Sequence, residues 1–148
     1  MHTVVGRLDT RLESEAAEFL VLGQLLLNRI PSYKAYTNMP AYDLVATNPE
    51  RNTSARISVK SRWRTGAPAF IIRSLDCDFV VIALLNRGSK DGRKEIKDPE
   101  YYVVPINVIR NVPRSAKWNR MELKNIPDFE KYRSRWDLIQ VFLKVPKA

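Results

Sequence analysis

The segment Asp78-Phe-Val-Val-Ile-Ala-Leu-Leu85 constrains the fold of this chain most tightly. Apolar residues follow Asp78 without a polar break, and Val80, Val81 and Ile82 are β-branched. Stiff, branched side chains favour a strand, and a strand apolar on both phases of its alternation is buried on both faces. The sheet that contains it therefore needs cover on two sides, which points to flanking helices.

The neighbouring segments supply that sheet. Ala55-Arg-Ile-Ser-Val-Lys-Ser-Arg62 alternates, with Ala55, Ile57, Val59 and Ser61 on one face and Arg56, Ser58, Lys60 and Arg62 on the other. Tyr42–Thr47 reads as a second strand, and the turn cluster at 48–52 joins the two into an antiparallel hairpin. Tyr101–Val104 reads as a further strand ended by Pro105, and Ser32–Thr37 as a short one before a turn at 38–40. The polar stretch 86–94 reads as a mobile loop.

Helical signals sit at the two ends. Thr10-Arg-Leu-Glu13 has the pattern of a capping box. Leu12, Ala16, Phe19, Gly23, Leu26 and Ile30 then recur at spacings of three and four, which predicts one apolar face toward the core, and Pro31 ends the helix. Beyond Phe19 the helix is apolar on nearly every side, so it is expected to pack between other elements. A second helix is predicted from Pro127, with Phe129, Tyr132, Trp136 and Ile139 on one stripe. No repeat or linker interrupts the chain, so 1–148 reads as a single α/β domain with a mixed sheet flanked by helices.

Lys and Arg number 25 against 16 Asp and Glu, a formal net charge of +9. An excess this large points to a polyanionic partner, nucleic acid first. One cysteine, Cys77, excludes an internal disulfide and fits a cytoplasmic setting. The longest apolar runs are too short to span a bilayer, so no membrane partner is expected. With five glycines and no phosphate-binding loop, nucleotide-binding folds are disfavoured, and the lone His2 makes histidine catalysis or a zinc site untenable.

The chemistry gathers around Lys60. Ser58 shares its face, and the hairpin brings Asp43, at the head of the partner strand, alongside. A carboxylate can hold Mg²⁺, the backbone carbonyl of Val59 offers another oxygen, and a lysine beside the metal can position a water or bind a phosphate. The bland alternative is an edge carboxylate and a solvated lysine. Around them Arg56, Arg62 and Arg64 flank Trp63, a combination suited to phosphate contacts and base stacking. Arg110, Arg114, Lys117 and Arg120 repeat the pattern around Trp118.

Glu18 in Ala-Ala-Glu-Phe-Leu-Val, then Ala41-Tyr-Asp-Leu-Val-Ala46, then Arg56-Ile-Ser-Val-Lys-Ser-Arg-Trp63, resemble the PD-(D/E)XK nuclease superfamily, of restriction-endonuclease-like fold. The resemblance covers roughly Glu13 to Leu85 and implies an αβββαβ-type core. It places Asp43 as the first acid, Lys60 as the lysine and Glu18 as the acid that many members carry on the first helix. The pattern departs at Ser58, where the family has an acid or glutamine. The implied activity is hydrolysis of DNA phosphodiesters, with Mg²⁺ or Mn²⁺ held by Asp43, Glu18 and the Val59 carbonyl, Ser58 beside them and Lys60 positioning the water. Nucleic acid, DNA above all, is the implied partner, and a homodimer fits the family habit of cutting two strands. Two other readings stay open: a nuclease fold that binds nucleic acid without cutting it, which the serine at 58 favours, and a protein-interaction subunit of a larger complex.

Overall fold

In the computed structural model, which describes residues 6–35 and 41–144, the chain runs α1 (Gly6–Leu27), β1 (Ser32–Lys34), β2 (Leu44–Asn48), β3 (Thr53–Arg62), β4 (Ala69–Ile71), β5 (Phe79–Leu84), β6 (Glu100–Pro105), α2 (Ile106–Arg110), β7 (Arg120–Glu122) and α3 (Asp137–Leu143). Five strands form one sheet in the order β1-β2-β3-β5-β6, and β4 pairs with β7 in a separate ribbon. The expected turn at 38–40 lies outside the described residues, as does His2.

The hairpin forms as its sequence predicts, with β2 antiparallel to β3 and Leu44 opposite Ile57. β5 lies parallel to β3 and antiparallel to β6, so the sheet is mixed. The crossover between the parallel pair carries β4 where αβββαβ order would place a helix. β5 is buried on both faces as its composition requires. Val81 and Ala83 join α1 and α3 in one cluster with Ile57 and Val59. Val80 and Ile82 join a second, with Phe70, Cys77, Tyr102 and Met121. Neither β4, β7 nor α2 has a sequence signal of its own; short elements of three to five residues borrow their stability from the second cluster.

Three expectations are corrected. Helix α1 begins at Gly6, so Thr10 and Glu13 sit within it, not at its cap. Of the stripe expected to face the core, only Ile30, beyond the helix end, is buried. Ala17, Val21 and Leu25 are fully buried, whereas Leu12, Phe19 and Leu26 are exposed. The helix is apolar on two faces, and the sheet covers the one that carries Ala17, Val21 and Leu25. Finally, the helix predicted from Pro127 is broken. A 3-10 turn at Phe129–Tyr132 is followed by Ser134 at φ 51° before α3 starts, because Arg133 bridges to Tyr102 and Ser134 N donates to the Tyr101 carbonyl.

Candidate functional site

The ladder between β2 and β3 ends at Leu44 and Ile57. Asp43 is the next residue out, held by its own N–H on the Ile57 carbonyl at 2.9 Å. Its carboxylate turns into the gap beyond and accepts the Val59 N–H at 2.7 Å. A strand residue aims its N–H and C=O toward the same edge, so the Val59 carbonyl also faces the Asp43 side.

Glu18 comes from α1, which covers one face of the sheet, and is near enough to Asp43 to feel its charge. It flanks the buried stripe of the helix and keeps only 18% of its side-chain surface. Burial, and then the charge of Asp43, push its carboxyl up to about 7. The ammonium of Lys34 lies 3.3 Å away and opposes that shift. This lysine is itself buried on β1, is also paired with Glu15, and stacks over Phe19 at 4.4 Å. The sequence does not single out Lys34. Its only signal is phase: on a three-residue strand it shares the inward side with Ser32, and a lysine there needs a carboxylate.

The remaining candidates divide by strand face. Ser58 and Lys60 stand opposite Val80 and Ile82 of β5, on the side away from α1. Ser58 is buried, and its backbone hydrogen-bonds the Cys77 thiol, which burial pushes up to about 11. Cys77 packs as the small hydrophobe its lack of a histidine partner suggests. Lys60 is half-buried and follows Val59 directly. Ser58 and Lys60 thus leave β3 on the face away from α1, whereas Glu18 comes from the α1 side and feels the charge of Asp43. Among the described residues, no three His, Cys, Asp or Glu side chains gather into a metal-ligating group. The donor set is two carboxylates and a carbonyl, which suits Mg²⁺, an ion that keeps much of its water and takes one or two carboxylates.

Past Lys60, β3 sends its side chains into two clefts. Trp63 and Arg64 line an opening of 590 Å³ with Glu13 of α1 and Arg87 and Lys90 of the 86–94 loop. That loop starts with hydrogen bonds to the end of β3. Thr65 N donates to the Gly88 carbonyl, Gly88 N to the Thr65 hydroxyl, and Arg87 N to the Trp63 carbonyl. On the other side, Arg62 lines a 180 Å³ cleft with Trp118 and Arg120. The Arg62 Nε is buried without a hydrogen-bond partner. Arg56 is placed differently: its guanidinium meets Asp76 at 2.8 Å and Asp78 at 3.5 Å, so its charge is matched within the protein.

A five-stranded mixed sheet covered by helices, with an acid at the head of its second strand, is a nuclease-like fold. The comparison with solved structures bears this out at the level of fold. The chain is similar to the bacterial homing endonuclease I-Ssp6803I, with a TM-score of 0.61 and 20% identity over 91% of each chain. No protein-family model and no curated protein sequence matches. No helix among the described residues is long and apolar enough to cross a membrane.

Proposed function

We propose that this protein hydrolyses phosphodiester bonds of DNA with the help of a divalent metal. The observation that carries the reading is that the half-buried Glu18 feels the charge of Asp43, whose carboxylate is held on the Val59 N–H. Glu18 is raised to about 7 by burial and by the charge of Asp43 even with the Lys34 ammonium at 3.3 Å, so a further cation between the two carboxylates would relieve their repulsion. Glu18, Asp43 and the Val59 carbonyl would hold Mg²⁺ or Mn²⁺, which supplies charge neutralisation at the phosphate and a more acidic water. Lys60, which leaves β3 on the face away from Glu18, would bind a phosphate oxygen of the strand beside this edge. The Asp43 carboxylate is fixed for this by the Val59 N–H. The net charge of +9 and the two tryptophan-lined clefts at the end of β3 give the strand a route across the surface. The neighbour of similar fold is named an endonuclease.

A second reading, binding without cleavage, is favoured by Ser58. The position where the family pattern has its second acid is a buried serine on the face opposite Glu18. Cleavage assays separate the two, on supercoiled, single-stranded and branched DNA with Mg²⁺ or Mn²⁺ beside Asp43→Ala and Lys60→Ala. Cutting by the wild type that both variants lose supports hydrolysis. Absence of cutting under all conditions, with steeply salt-dependent binding intact, supports the binding module.

A further inference from the structure

The solvent face of α1 carries a second apolar seam. Leu12, Ala16, Phe19, Gly23 and Leu26 follow one another at alternating steps of four and three, the 3.5-residue period of a helix that packs against another helix. At 100° per residue this seam points away from the buried Ala17–Val21–Leu25 stripe. Leu20 and Leu27 widen it to an apolar sector of roughly 120°, as broad as the face a helix normally gives to a core. Leu12, Phe19, Leu26 and Leu27 are 67%, 52%, 52% and 78% exposed.

We propose that this seam is a homodimer interface in which two α1 helices pair antiparallel. The self-complementarity is in the order of sizes. Large residues (Leu12, Phe19, Leu26) alternate with small ones (Ala16, Gly23). A parallel pair in register would set Phe19 on Phe19 and Gly23 on Gly23, crowding one layer and emptying the next. An antiparallel pair with its two-fold axis between Phe19 and Gly23 sets each Phe19 into the gap at the other copy's Gly23. It sets each Leu26 against Ala16, so large meets small in the layers of Phe19 and Leu26, while Leu12 lies beyond the end of the partner helix.

Gly23 supports this independently. A glycine inside a helix costs roughly 0.5–1 kcal/mol relative to alanine. Nothing in the monomer asks for it, since a Cβ there would meet no atom within 4 Å. Close approach of another backbone or ring does ask for it. The seam and its flanking leucines expose roughly 600 Å² per copy, taking about 200 Å² for each large side chain. Fully covered, the two patches bury at most about 1,200 Å², the lower bound for specific interfaces, and the patch is at the upper limit of what a lone protein leaves bare. The proposal assumes nothing about phosphodiester chemistry.

Light scattering on the full chain at tens of micromolar is the test. The expected wild-type mass is twice the 17.1 kDa of one chain. Gly23→Leu is expected to give a monomer that melts at or above the wild-type temperature, because it removes a helix-interior glycine and meets open space. Phe19→Glu is expected to give a monomer as well. Ala16→Glu and Leu26→Lys are each expected to be monomeric alone and to form a dimer on mixing, because the register sets these positions opposite each other. A wild type that is monomeric throughout, or a dimer that survives both Gly23→Leu and Phe19→Glu, overturns the interface. Failure of the mixed pair to associate overturns the antiparallel register.

Discussion

Replacing Glu18 by glutamine removes a carboxylate that the fold keeps partly out of water and close to Asp43. The unfolded chain protonates this group near 4.5, whereas the folded protein does so at about 7. Between these values the native state binds more protons than the unfolded state. Stability is therefore fully present below about 4.5 and is lost as the pH rises through 7. Two and a half pH units at about 1.4 kcal/mol each set an upper bound of roughly 3 kcal/mol. The Lys34 ammonium at 3.3 Å stabilises the charged form, and a glutamine forfeits about 1 kcal/mol of that contact. The net expectation is that Glu18→Gln is about 1–2 kcal/mol more stable than wild type at pH 8. For a chain of this length that is roughly 2–8 °C in melting temperature. Near pH 5 the two proteins should melt within about a degree of each other, since glutamine resembles the protonated acid. The assay is thermal unfolding by circular dichroism from pH 5 to 8.5 without divalent metal. Equal pH slopes for the two proteins, or a variant less stable than wild type at pH 8, would refute the argument that Glu18 is held near Asp43 at a cost in stability. If the proposed activity is present, the same substitution should abolish it.

Three further outcomes follow from particular contacts. Asn48 is buried and its amide donates to the Leu143 and Lys144 carbonyls at 3.0 and 3.3 Å, closing the end of α3; Asn48→Ala should cost about 1–3 kcal/mol in urea unfolding. Gly88 has φ 83°, and a Cβ there would meet Ile96 at 3.2 Å and the Lys94 carbonyl at 3.3 Å; Gly88→Ala should cost about 1–2 kcal/mol and speed amide exchange in the 86–94 loop. Trp63→Ala should weaken single-stranded DNA binding by about 1–3 kcal/mol with little change in the salt slope, whereas Arg64→Ala should reduce the slope, as titrations at several salt concentrations would read.

Alternation and branching in the sequence by themselves determined the sheet. The Phe79–Leu84 run had to be a doubly covered strand, and the hairpin of β2 and β3 follows from two alternating runs around a turn, because strand period and burial are local properties that side chains impose on the backbone. Asp43 was also legible as a candidate, from its place at a strand head, whereas Glu18 was singled out only by the family resemblance. What α1 does with its two apolar faces was not legible, since both have helical periodicity and only the fit against β3 and β5 selects Ala17, Val21 and Leu25. Nor was the burial of Lys34 beside Glu18, which depends on pairing between segments 19 and 16 residues away. The sides taken by Ser58 and Lys60 were readable as shared with each other, but not as opposite to Glu18. Periodicity reports which residues share a face; only packing decides what that face meets, because the energy of choosing between two apolar surfaces lies in contacts between elements distant in sequence.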